Sequence, residues 1–226
     1  MQQKLVIIAA GGTGSRLNAN LPKQYMLLAN RPVLMHTIEA FVGIVDRILV
    51  AIHPEMVEYW KSLCADYNFN IPHSLVIGGT TRFQSVQNAL NYLQDNEVDF
   101  EESSIAVHDA ARPLVDPVLI LESFAQVAKG NNTALAIKST NAIRLGTLTS
   151  SSAVDRNLVW QMQTPQTFQA KVLSEAYRQE ESPLFTDDCS VVEKLGYPIS
   201  LIESTPKNIK LTFPEDFEIA QLYLNS

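Results

Sequence analysis

The chain has 226 residues, of which 46% are hydrophobic, a formal net charge of −7 and two cysteines. That length supports one sizeable core and one domain, at most two, and the acidic balance excludes a general binder of nucleic acid or anionic membranes. No apolar stretch approaches the roughly 20 residues that span a bilayer, and Cys64 and Cys189 show neither metal-ligand spacing nor a disulfide framework.

The opening MQQKLVIIAA lacks the h-region length and cleavage pattern of a signal peptide, so a cytoplasmic location is expected. Its apolar run, residues 4–9, reads as a buried strand ended by glycines. After Pro32, the apolar positions Leu34, Ile38 and Phe41 recur at helical spacing. Residues 46–52 predict a second strand, 55–67 a helix, and SLVI at 74–77 a third strand running into Gly78 and Gly79. Val86, Ala89, Leu90 and Leu93 mark the next helix. SIAVHD at 104–109 is a fourth strand, and Pro117 opens the helix that carries Ile120, Phe124 and Val127. This alternation predicts an α/β fold, a mostly parallel twisted sheet with helices on both faces.

The regularity weakens over 133–170. Short runs broken by Asn, Gly and Ser suggest a strand followed by a hairpin-like excursion, with Gly146 and Ser150–Ser152 at its tip. Helices resume near 170–180 and 187–195. A strand near 199–202 precedes a C-terminal helix, for which Thr212 and Glu215 suggest a capping box.

The loop after the first strand, AGGTGSRLNANLPKQY, places glycines at a strand end and follows them with Arg16 and Lys23. Three readings compete with an incidental basic turn. A dinucleotide fingerprint needs a third glycine where Leu17 stands, and NANLP interrupts its helix. A Walker A loop is absent. The remaining reading is an extended loop that wraps a triphosphate, with backbone N–H groups and two cations on the phosphates.

GGTTRFQS at 78–85 is a second glycine turn at a strand end, leading into a helix through Arg82 and Ser85. HDAARP at 108–113 ends the fourth strand and puts Asp109 where a hard oxygen ligand for Mg²⁺ would sit, although a helix cap would use the same residue type. Three such loops at the carboxyl edge of one sheet suggest a ligand site there. His108 reads as structural. Asp187 and Asp188, in TDDCS, read as helix-capping and dipole partners.

With these segments in view the chain resembles the 2-C-methyl-D-erythritol 4-phosphate cytidylyltransferases of the non-mevalonate isoprenoid pathway. AGGTGSR at 10–16, PKQY at 22–25, GGTTR at 78–82 with Ser85, HDAARP at 108–113, VDRN at 154–157 with Trp160, QTPQTF at 163–168, TDDCS at 186–190 and NIKLT at 208–212 carry the resemblance almost end to end. It implies a Rossmann-like nucleotidyltransferase fold in a single domain over 1–226. A protruding β-arm at about 138–158 would reach over a neighbouring subunit in a homodimer. It implies CTP as co-substrate, Mg²⁺ or another divalent cation, a sugar-alcohol phosphate acceptor, and pyrophosphate as product.

By position, the resemblance gives Arg16 and Lys23 as the catalytic pair on the triphosphate. Ala9, Ala10, Gly11, Gly12, Gly14, Gly79, Thr80 and Ser85 form the nucleotide pocket, and Asp109 holds the metal. Arg112, Thr140, Arg156, Thr164 and Lys210 take the acceptor, some of them across the dimer. Two departures stand out. Many members have Ala-Ala-Gly where this chain has Ala10-Gly11-Gly12, and many have an acid where it has Thr80. The related ribitol-5-phosphate cytidylyltransferases share several of these motifs, so that acceptor is the alternative, and a non-catalytic nucleotide-binding regulatory module is a second. A nicotinamide dehydrogenase stands further off because of Leu17.

Overall fold

A computed structural model describes residues 2–12 and 21–225. Its frame starts from the first strand, β1 (Gln3–Ala10), where Leu5, Val6, Ile7 and Ile8 are all fully buried. Leu5 and Ile7 belong to one apolar cluster, Val6 and Ile8 to another. Side chains alternate across a strand, so an unbroken apolar run means that both faces are covered.

Two short strands, β2 (Leu27–Leu28) and β3 (Arg31–Pro32), form a small ribbon that leads into α1 (Val33–Glu39). There follow β4 (Arg47–Ile52), α2 (Val57–Asp66), β5 (Ser74–Ile77), α3 (Arg82–Asp95), β6 (Ser103–Asp109) and α4 (Pro117–Val127). β4 and β6 flank β1 in parallel, and β5 pairs in parallel with β4. The chain thus moves outward from β1 to β5 and then crosses back to β6. The strand order reverses between β1 and β6, which opens a crevice beyond their carboxyl ends. α3 sets Val86, Ala89, Leu90 and Leu93 against the Leu5 and Ile7 face. α1 and α4 cover the other face with Leu34, Ile38, Ile120 and Phe124.

The second half completes a seven-stranded sheet with β7 (Asn132–Lys138), β10 (Trp160–Gln169) and β11 (Ile199–Glu203), in the order β11-β7-β10-β6-β1-β4-β5. Between β7 and β10 the chain leaves the sheet as a hairpin, β8 (Ile143–Gly146) and β9 (Ser151–Val154). Gly146 has φ +139°, and a Cβ there would run into the Ser150 and Ser151 backbone, so the tip requires glycine. α5 (Ala170–Ala176), α6 (Asp188–Glu193) and α7 (Pro214–Leu224) follow. Among the described residues no helix is long and apolar enough to cross a membrane.

Three features differ from the sequence expectation. The irregular stretch 133–170 contains a ten-residue strand, β10, which lies inside the sheet and runs antiparallel to both β6 and β7. The cap of α7 is built by Asp216 rather than Glu215. Its carboxylate accepts the Thr212 and Phe213 N–H groups at 2.6 and 2.7 Å. Asp187 does cap α6, accepting from Ser190 N at 2.9 Å, but Asp188 is turned inward.

β10 is tied into the core through Phe168, which is fully buried in the same cluster as Leu5 and Leu93. Phe168→Ala is expected to lower the unfolding free energy by about 3–5 kcal/mol in urea denaturation. A loss below about 1 kcal/mol would mean that this side chain does not anchor β10.

Candidate active site

Asp109, the last residue of β6, is buried at the crevice and touches three cations. Lys210 Nζ lies 2.8 Å from Oδ2, Arg112 Nε 3.5 Å from Oδ2, and Arg82 Nε 3.4 Å from Oδ1. Burial opposes its ionisation, but Arg82, Lys210 and Arg112 outweigh that and hold the carboxyl well below the usual carboxylate range. Local backbone ties bring these groups together. Leu211 N donates to Ala111 O at 2.8 Å and Arg112 Nη1 to Asn208 O at 2.8 Å, which draws the NIKLT segment against the loop after β6.

Arg82 is the first residue of α3, whose N-cap is the Thr81 hydroxyl, accepting from Gln84 N. Its guanidinium is held from behind by Asp188 through two bonds of 2.8 and 2.6 Å, and the Tyr177 hydroxyl donates to the same carboxylate at 2.6 Å. Asp188 is fully buried, so two charge-assisted bonds and a hydroxyl compensate its desolvation. In the sequence Arg82 carries no evident role, and Asp188 looks like a helix-end partner. The pair is 106 residues apart along the chain, and no local signal links them.

Two cavities of about 300 Å³ each meet at Asp109, Arg82 and Lys210. The first is walled by Ala9, Gly11, Gly12, Lys23, Gly79, Thr80 and Ser85. Ser85 Oγ accepts from Gly79 N at 3.1 Å and donates to Thr81 O at 2.8 Å, which fixes the second glycine turn. A Cβ on Gly79 would collide with Gln84, so this wall requires glycine. Thr80 donates both its N–H and its hydroxyl to Gln84 Oε1, at 3.0 and 2.8 Å. Ala10 is 1% exposed and lines neither cavity. Gly14 and Arg16 lie outside the described residues.

The second cavity adds Arg112, Gln163, Thr164, Gln166 and Asp187. The Thr164 hydroxyl braces the floor, accepting from Asp109 N at 3.0 Å and lying 3.1 Å from His108 Nδ1. Thr140 and Arg156 line neither cavity of their own chain. Arg156 Nη1 donates to Thr140 O at 3.4 Å in an exposed contact.

Lys23, Arg82, Arg112 and Lys210 thus outnumber Asp109 and Asp187 along the two walls. In a chain of net charge −7 this is a local positive field, and it selects anions. Among the described residues no three His, Cys, Asp or Glu gather as a metal site. Asp109 nonetheless fits Mg²⁺ of the kind held by one carboxylate with substrate phosphates and water completing the shell. Among the described residues its Oδ1 has only the long Arg82 contact, whereas Oδ2 carries Lys210 and Arg112.

His108 is fully buried, with Nε2 3.0 Å from Arg112 O and Nδ1 against Thr164. Both nitrogens are engaged by neutral partners, so the ring sits neutral, donating from Nε2 and accepting at Nδ1. Burial lowers its pKa to about 4. Between about pH 6.5, where an unfolded histidine titrates, and about 4, the unfolded chain binds a proton that the folded chain refuses. His108 therefore makes stability fall as pH falls through that window, by on the order of 3 kcal/mol in all. Asp109, held ionised in the folded state, adds only a small slope of the same sign at the lower end of that window, where an unfolded aspartate begins to protonate. Urea titrations at pH 7 and 4.5 should show this loss, and His108→Asn should flatten it. An equal slope in the variant would remove His108 as its source.

The match to known proteins spans the chain. The family model described as 2-C-methyl-D-erythritol 4-phosphate cytidylyltransferase covers residues 4–226. A relative of that name from Porphyromonas gingivalis is 42% identical over 226 residues, which is 100% of this chain and 99% of the relative. A crystal structure of 4-diphosphocytidyl-2C-methyl-D-erythritol synthase superposes with a TM-score of 0.82 at 29% identity, covering 99% of both chains. The 2-C-methyl-D-erythritol 4-phosphate cytidylyltransferase of Francisella tularensis superposes with a TM-score of 0.79 at 30% identity, covering 97% of this chain and 99% of that one. A nucleotidyltransferase sheet whose carboxyl edge carries two anion-seeking cavities, joined to matches of this extent, leads to one assignment: the chain belongs to the 2-C-methyl-D-erythritol 4-phosphate cytidylyltransferase family.

Proposed function

We propose that this chain transfers CMP from CTP to 2-C-methyl-D-erythritol 4-phosphate, releasing pyrophosphate. The observation that carries the reading is the pair of cavities sharing Asp109, Arg82 and Lys210, one beside the glycine turns and one beside Arg112. Two anionic reactants have to meet, and cations shared between the cavities offset their repulsion.

An oxygen of the acceptor phosphate attacks the α-phosphorus of CTP. The new P–O bond forms as the bond from the α-phosphorus to the bridging oxygen breaks, and pyrophosphate leaves with that electron pair. The attacking oxygen is already anionic, so no general base is needed, which agrees with a neutral His108 engaged at both nitrogens. Catalysis is then positioning plus electrostatic stabilisation. Lys23 serves the α-phosphate and leaving oxygen, and Arg16 the β and γ phosphates. The backbone of Gly11, Gly12, Gly14 and Gly79, with Ala9, Ala10, Thr80 and Ser85, holds the nucleotide. Asp109 would hold Mg²⁺, which when bound supplies positive charge to the phosphate oxygens. Arg112, Thr164 and Lys210 face the acceptor.

Thr140 and Arg156 complete the acceptor site from a second copy in a homodimer. Supporting this is the hairpin, which stands outside the central sheet and exposes Leu145 and Leu148, with Leu158 exposed just beyond it. The reading treats 1–226 as one nucleotidyltransferase domain with its arm at about 138–158, working in the cytoplasm.

Pyrophosphate release with CTP should occur with 2-C-methyl-D-erythritol 4-phosphate and at most weakly with ribitol 5-phosphate. The reverse preference would reassign the acceptor, and CTP binding without release for either would favour a regulatory module. Lys23→Ala should lower kcat by roughly 10²–10³, and near-normal turnover would remove its role. Arg156→Ala should raise the acceptor KM and leave the CTP KM within about twofold, since it removes binding of one substrate only. An effect confined to CTP would contradict the cross-subunit assignment.

A further inference from the structure

Gln24 lies in the short 3₁₀ turn Lys23–Tyr25, directly after Lys23, and is 3% exposed. Its amide nitrogen donates to Ala10 O at 2.7 Å and to Gly12 O at 2.9 Å. Both acceptors are carbonyls at the start of the glycine loop, so the amide orientation is set by its partners. One neutral group therefore pins the beginning of the loop to the turn that ends it. That turn is itself anchored. Tyr25 is 1% exposed and packs against Trp60 and Tyr59, and Val33 N donates to Met26 O at 3.0 Å.

The placement has an electrostatic consequence. Gly11, Gly12, Lys23 and Gln24 all line the first cavity. A carbonyl presented there would repel a polyphosphate. Gln24 takes up the negative ends of two carbonyls at the lip, and in a planar trans peptide the N–H of Gly11 points opposite to the Ala10 carbonyl that Gln24 holds. The amide suits this role better than its nearest alternatives. A glutamate has no donor and adds a charge of the wrong sign. A lysine or arginine would bring a second cation beside Lys23, and an asparagine is one methylene shorter.

We propose that Gln24 is a positioning residue for the nucleotide: it withdraws the Ala10 and Gly12 carbonyls from the triphosphate and sets the register of Lys23 against the same phosphates. This rests on the reading of the first cavity as the CTP site.

The test compares wild type, Gln24→Met and Gln24→Glu in steady-state kinetics with both substrates, in CTP affinity by calorimetry, and in thermal melting. Gln24→Met keeps length and loses both donors. It should reduce kcat/KM for CTP about tenfold or more, the scale of two lost hydrogen bonds. CTP affinity should weaken in step, with the acceptor KM within about twofold. Gln24→Glu has no donor and adds a negative charge at the same place, so its CTP affinity should be weaker still. Wild-type CTP binding and turnover in Gln24→Met overturns the inference. So does an equal loss for both substrates accompanied by a lower melting temperature, which marks a merely structural role. If Gln24→Met does not fold, wild-type CTP affinity in a folded Gln24→Glu overturns it. A wild type that binds CTP but releases no pyrophosphate defeats the proposed reaction, and the calorimetric comparison alone then decides the role of Gln24.

Discussion

A single buried carboxylate organises this molecule. Asp109 cannot stay ionised in the crevice without compensation, and the fold supplies it from three places. Arg82 comes from the start of α3, Arg112 from the loop after β6, and Lys210 from the segment before α7. Each cation makes its own demand. Arg82 requires Asp188, which in turn takes the Tyr177 hydroxyl. Arg112 requires the Asn208 carbonyl. Satisfying one charge therefore ties together elements from the whole length of the chain, and it leaves an excess of positive charge beside the glycine turns.

The sheet topology decides which residues can take part. Parallel strands bring their carboxyl ends to one edge, so β1 and β6 deliver Ala9 and Asp109 side by side. β10 runs the other way, so it brings its early residues to the same edge. That is why Thr164 can brace both Asp109 and His108. An all-parallel sheet would have placed this part of β10 at the opposite rim.

The parallel half was legible because two-sided burial writes long apolar runs such as LVII, and because glycines, Asp109 and Pro117 punctuate the strand ends. β10 was not legible, for a specific reason. QMQTPQTFQ is polar and contains Pro165, which normally argues against an interior strand. The structure accommodates it where the pairing register shifts between Met162 and Gln166. In the site, Lys23 and Asp109 stood out as charges at strand ends, whereas Lys210 entered only through the family resemblance. Asp188 and Gln24 did not stand out. A carboxylate in TDDCS looks like a cap until its distant arginine is known. A neutral glutamine beside a lysine attracts no notice until its two carbonyl partners are seen.

The hairpin has a consequence for how such a chain can change. Residues 139–159 leave and re-enter the sheet at one point, since Lys138 pairs with Trp160 and Ser139 N donates to Val159 O at 3.0 Å. A segment with neighbouring ends behaves as a detachable module. It can lengthen, shorten or change sequence without disturbing the register of the strands that carry Asp109. Its sequence can therefore drift while the strands that carry Asp109 stay under separate and stricter constraint.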